Sequence, residues 1–149
     1  MRPQRPAQRD SPRGRTVSPT PPAKKPAEKL KTASLEKALG YKFKSRPLLK
    51  RALTHASVRS QREKSDDNER LEFLGDRVLA LAIAELLVEM DADATEGELA
   101  RRFNRLVRRE ACARVARNLC LGPALILSAS EADSGGRDKD TILADACEA

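Results

Sequence analysis

Between Val78 and Val88 every residue except Glu85 is apolar. A run that is apolar all round marks a helix buried on most sides, at the centre of a larger helical domain. Upstream, Asp66 with Glu69 three residues on makes a capping-box-like start, and the pattern runs to about Met90. The opening turns read Asn68-Glu69-Arg70-Leu71-Glu72-Phe73-Leu74-Gly75-Asp76. With about 3.6 residues per turn, Glu69, Glu72 and Asp76 fall at i, i+3 and i+7 and share one face. Near the other end of the chain, Asp145 and Glu148 stand at i and i+3 in an apolar stretch and share a face of a second helix. Carboxylates on largely buried helices are costly unless something positive compensates them. A hard divalent cation, which takes oxygen ligands, does so.

The remaining pattern is helical throughout. Residues 34–39 predict a short helix that stops at Gly40. Ser45 caps the next helix, which has Pro47 in its first turn and carries Leu48, Leu49, Ala52 and Leu53. Residues 59–67 are polar and read as a loop. Thr95 with Glu98 repeats the capping pattern and opens a helix through Arg101 to Arg109. A further helix runs to Leu121 and ends at Gly122-Pro123. Residues 129–140 read as a flexible Ser/Gly/charged loop, after which Asp140 caps the last helix. There is no alternating strand pattern of useful length and no internal repeat. The expected class is all-α.

Composition separates residues 1–32 from the rest. They hold seven of the nine prolines, and nine Lys/Arg against two Asp/Glu. Such a stretch buries too little apolar surface to offset its ordering entropy, so it is expected to be a disordered basic tail. The whole chain has a formal charge of +7, and the tail carries all of it, leaving residues 33–149 neutral. The basic balance therefore does not make the folded part a nucleic-acid binder. Two readings of the tail stand open: a weak, salt-sensitive phosphate contact, or a solubilising extension. Its proline density argues against an amphipathic transit peptide, and no apolar run suits a secretory signal or a membrane-spanning helix. Cys112, Cys120 and Cys147 lack any CxxC or Cys/His spacing, which fits free thiols in a reducing cytosol and excludes a zinc framework. Three Phe, one Tyr and no Trp argue against recognition by stacking on unpaired bases.

At these residues the chain resembles the ribonuclease III family of endonucleases that cut double-stranded RNA. Residues 68–76 match the family's hallmark nonapeptide at every position. The likeness continues through Ala52-Leu53-Thr54-His55-Ala56-Ser57, Glu96-Gly97-Glu98 and Ser134-Gly135-Gly136-Arg137 into residues 142–148. It covers roughly residues 33–149, identified as an endonuclease domain incomplete at its C-terminus.

The resemblance implies metal-dependent hydrolysis of double-stranded RNA to 5′-phosphate and 3′-hydroxyl ends with short 3′ overhangs. It implies a cytoplasmic homodimer that processes ribosomal RNA precursors and some messenger and transfer RNAs. The implied cofactor is Mg2+, with Mn2+ as a substitute. Asp76 and Glu148 would be the catalytic residues, and Glu72, Asp145 and Glu148 the direct metal ligands. Glu69 would support that cluster or simply cap its helix. Glu96 would help place metal or substrate, or be an ordinary first-turn acid. Arg101, Arg105, Arg108 and Arg109, at i, i+4, i+7 and i+8, would form one basic stripe against RNA, or a solvated face. His55 fits a packed structural histidine better than a general base. Mid-helix Gly75 predicts a close helix contact, since it costs about 1 kcal/mol relative to Ala there. Phe73, pointing away from the acids, belongs to the core or to the dimer contact.

The family's last helix continues for several apolar turns, and a double-stranded-RNA-binding domain usually follows; here both are absent after Ala149. The final helix is accordingly expected to be truncated, with Asp145 and Glu148 on a frayed segment and activity impaired. The alternatives are a non-catalytic RNA-binding or ribosome-assembly module, or an inactive fragment of the enzyme; retention of all four acids argues against the module.

Overall fold

Small side chains set the spacing at the centre of the fold. In the computed structural model, which describes residues 26–59 and 66–149, α5 (Arg109–Asn118) and α7 (Asp140–Glu148) pack along one another more extensively than any other pair of elements. Ala113 and Ala116 on one helix and Ala144 and Ala146 on the other are buried, so the two backbones approach closely. Leu143 is the largest fully buried side chain. Around this pair lie α1 (Pro26–Leu39), α2 (Arg46–Ala52), α3 (Glu69–Met90), α4 (Glu96–Leu106) and the short α6 (Ala129–Asp133). α3 lies across α7 and continues beside α4. Leu35, Leu49, Leu53 and Leu125 close the other side of the core.

The fold is all-α, as the sequence implied. Among the described residues the only sheet-like contact is a parallel bridge between Thr54 and Ile126. It joins the segment after α2 to the one before α6, with the N–H groups of His55 and Ile126 donating to the carbonyls of Ile126 and Leu53. Several local signals act as expected. The Ser45 hydroxyl accepts from the Leu48 N–H, Gly40 ends α1 with a left-handed φ of 62°, and the Glu98 carboxylate accepts from the Thr95 N–H and hydroxyl in a capping box.

Other expectations are corrected. α1 begins at Pro26, eight residues before Ser34, so the end of the supposed tail is helical. Ala27, Glu28, Lys29, Leu30 and Lys31 are good helix formers, and a proline is tolerated in a first turn. The tail expectation for residues 1–25 and the loop expectation for 60–65 lie outside the described residues. The helix foreseen through Arg109 breaks: α4 ends at Leu106, and α5 starts at Arg109 after the extended Arg108. Residues 129–140 are not one flexible loop. Ser128 caps α6, and Arg137 donates to the carbonyls of Gly122 and Leu125, fixing the turn. Asp140 lies in the first turn of α7, not at its cap, and receives Arg117. Nor is α7 frayed: Ile142, Leu143, Ala144 and Ala146 bury it against the core.

The largest correction concerns α3. Of its residues only Leu87 is fully buried, while Phe73, Leu74, Val78, Leu81 and Val88 are exposed, Leu81 by 71%. α7 and α4 cover one side of the helix, and nothing among the described residues covers the other.

Candidate active site

Gly75 brings the two acidic helices together. A Cβ at this position would overlap the carbonyl group of Glu148, so the α3 backbone rests directly on the C-terminal end of α7. Glu72 and Asp76 flank this contact on α3, while Asp145 and Glu148 flank it on α7. All four side chains are partly buried.

Electrostatics shows the crowding. Burial pushes the Glu72 carboxyl above the ordinary range, and the charges of Asp145, Glu148, Glu69 and Asp76 push it further. Burial likewise raises Glu148, with Asp76 and Asp145 adding to the shift and Arg109 and a Cys112 hydrogen bond opposing it. Asp145 is raised by burial against the opposing pull of Arg109 and His55. Oxygen-only donors with an excess of negative charge suit Mg2+ or Mn2+. Among the described residues, though, no three His, Cys, Asp or Glu side chains stand close enough together to grip a metal ion. The acids feel one another's charge without converging on a point. Asp76 is turned to Arg77, which donates to its Oδ2 at 2.6 Å.

The other candidates separate. Glu69 does not form a capping box with Asp66: its carboxylate pairs with Arg59 at 2.6 Å, and its N–H faces Asp67 Oδ1 at 3.4 Å. The buried Asp67 also holds Arg59 and, through its carbonyl, Arg51. Glu96 is not brought to the cluster. It lines an apolar groove with Ala84, Leu87 and Val88, and Ala84 is about 18 Å along α3 from Glu72 at 1.5 Å per residue. The basic stripe does not survive the break between α4 and α5. Arg101 and Arg105 are exposed on α4, whereas Arg109, the first residue of α5, stands where its charge acts on Asp145 and Glu148.

Three neighbours of the cluster carried no spacing signal in the sequence. The Cys112 thiol, buried on α5, is pushed up to about 11, chiefly by burial; it donates to the Val107 carbonyl and lies beside Glu148. Cys147 lies beside it on α7, and all three cysteines are free. His55 Nδ1 accepts from the Ser57 N–H, which leaves its Nε2 as the donor, and the ring stands near both Asp145 and Glu131.

This helical arrangement, with acids from two crossing helices, is that of a nuclease domain. The chain belongs to the ribonuclease III family: the family model described as Ribonuclease-III-like matches residues 45–149. "Ribonuclease 3" of Caulobacter vibrioides is 59% identical over 115 residues, 77% of this chain and 50% of that protein. "Ribonuclease 3" of Ruegeria pomeroyi is 57% identical over 116 residues, 78% of this chain and 51% of that protein. The chain thus spans about half the length of the curated relatives it matches. The solved nuclease domain of ribonuclease III from Campylobacter jejuni superposes with a TM-score of 0.71 at 43% identity, covering 77% of this chain and 78% of that one. That structure is described as showing flexibility in a region involved in dimer formation. No helix among the described residues is long and apolar enough to cross a membrane.

Proposed function

We infer that this chain is the nuclease part of a metal-dependent endoribonuclease that cuts double-stranded RNA, leaving 5′-phosphate and 3′-hydroxyl ends with short 3′ overhangs. The observation that carries this reading is the Gly75 contact between α3 and α7, which sets Glu72, Asp76, Asp145 and Glu148 within reach of one another's charge, in a member of this family. Glu72, Asp145 and Glu148 would hold Mg2+ or Mn2+, with Asp76 and Glu148 as the catalytic pair. Such ions, when bound, make water nucleophilic and stabilise the leaving oxygen. The residues supply the setting: the carboxylates concentrate negative charge where a cation must enter, and burial strengthens its hold. Arg109, exposed beside them, offers a positive group to an incoming phosphate.

The working form is a homodimer, supported by the uncovered apolar face of α3 and by the dimer-forming region of the Campylobacter relative. Its location is the cytoplasm, and its substrates include ribosomal RNA precursors and some messenger and transfer RNAs. Incubating the protein with a perfectly paired RNA and with its separated strands, with Mg2+ and with a chelator, tests the reading. Cleavage of the duplex alone, in Mg2+ alone, with 5′-phosphate ends, is the expected result. Cleavage that persists with the chelator or favours single strands overturns it.

A further inference from the structure

Arg77 stands between the acidic cluster and the uncovered face of α3. One of its guanidinium nitrogens donates to Asp76 Oδ2 at 2.6 Å and to the Phe73 carbonyl at 3.2 Å. The same planar group lies over the Phe73 ring, 4.2 Å from its centroid. The two partners face different surroundings. Asp76 belongs to the cluster, whereas the Phe73 side chain is 66% exposed on the apolar face.

A cation over an exposed ring is weakly held. Apolar surface brought down on Phe73 must either bury that cation, which is costly, or drive it off. Because one rigid guanidinium makes all three contacts, leaving the ring also frees Asp76. Conversely, a cation that draws Asp76 away loosens Arg77 from the ring and bares Phe73. The exposed ion pair is worth little, so the exchange is reversible and small in scale.

We propose that Arg77 is a positioning residue for Asp76, coupling the release of that carboxylate to the covering of Phe73 by a second copy of this chain. This rests on the metal-dependent, dimeric reading above. By thermodynamic linkage the coupling runs both ways: dimerisation tightens metal binding, and metal tightens the dimer by the same factor for each ion bound.

Mn2+ affinity without RNA, measured by calorimetry below and above the self-association midpoint, tests it. Sedimentation with and without Mn2+ supplies the reciprocal measurement. The parent should bind Mn2+ about two- to fivefold more tightly as the dimer. Arg77→Ala should bind it as tightly when dilute as the parent dimer does, with no dependence on protein concentration. Arg77→Lys, which keeps an ion pair but lacks the planar group, should bind weakly at both concentrations. A metal-binding, self-associating parent whose affinity ignores concentration, or that Arg77→Ala leaves unchanged, overturns the coupling alone. A parent that never self-associates overturns the dimeric reading, one that binds no Mn2+ overturns the metal-dependent reading, and either takes the coupling with it.

Discussion

Gly75 and Glu148 meet backbone to backbone, with no room for a methyl group between them. That contact draws Glu72 and Asp76 toward Asp145 and Glu148. In an ordinary helix interior Gly→Ala stabilises by about 1 kcal/mol. Here the added carbon must displace the end of α7. We expect Gly75→Ala to destabilise the domain by about 1–3 kcal/mol, read as a lower Tm, and to cut the cleavage rate about a hundredfold. A variant as stable and active as the parent would show that the helices can separate without consequence.

Glu148 shares its surroundings with Asp76, Asp145 and the Cys112 thiol. If its carboxylate holds a metal, Glu148→Gln lowers duplex cleavage by more than about a hundredfold. Duplex RNA affinity in Ca2+, measured by filter binding, should hardly change. Glu69→Gln, which removes only the pairing with Arg59, should be much milder.

The acids also set a pH dependence. Glu72, Asp145 and Glu148 all have folded-state affinities for protons raised above the ordinary carboxylate range. In the metal-free protein their contribution is fully present below the unfolded carboxylate range of about 4. It is lost as pH rises through the elevated folded values. Thermal melts in a chelator should therefore show these acids favouring the fold less at pH 7 than at pH 4. Glu72→Gln should raise the Tm at pH 7 and flatten that trend, and Mn2+ should stabilise the parent more than the variant. A parent Tm contribution that grows with pH and vanishes in Glu72→Gln would contradict the shift.

The exposed stripe of α3 predicts self-association. Leu81, more than two-thirds exposed, faces away from α7 and α4. Placing a charge there should disfavour a dimer without touching the domain's own core. Leu81→Glu should sediment as a monomer at concentrations where the parent dimerises, with unchanged helix content by circular dichroism. A dimer unaffected by Leu81→Glu would move the interface off this stripe.

Local chemistry was legible in the chain. The Ser45 cap, the Gly40 stop and the Thr95–Glu98 box involve neighbours a few residues apart, so their geometry follows from spacing alone. The placement of carboxylates on single helix faces follows from the helical period in the same way. The shared boundary of α4 and α5 was not legible. Arg108 is the same residue type as Arg109, which opens α5, and differs from it only in backbone conformation; the break reflects how α5 must turn to lie along α7. The order in residues 129–138 was missed for a related reason: it depends on Arg137 reaching carbonyls more than ten residues away.

The sequence by itself determined an all-α chain with acids on two apolar helices, because hydrophobic period and capping are local properties. It also marked Gly75 as a position where something comes close. Only the tertiary structure decided that this something is Glu148, that Glu69 turns to Arg59, and that Glu96, on α4, packs beside the far end of α3 from the cluster. It alone decided that the apolar part of α3 is covered, among the described residues, on one side only. Apolarity records that a surface is better removed from water, whereas what removes it depends on which elements the folded chain can bring there.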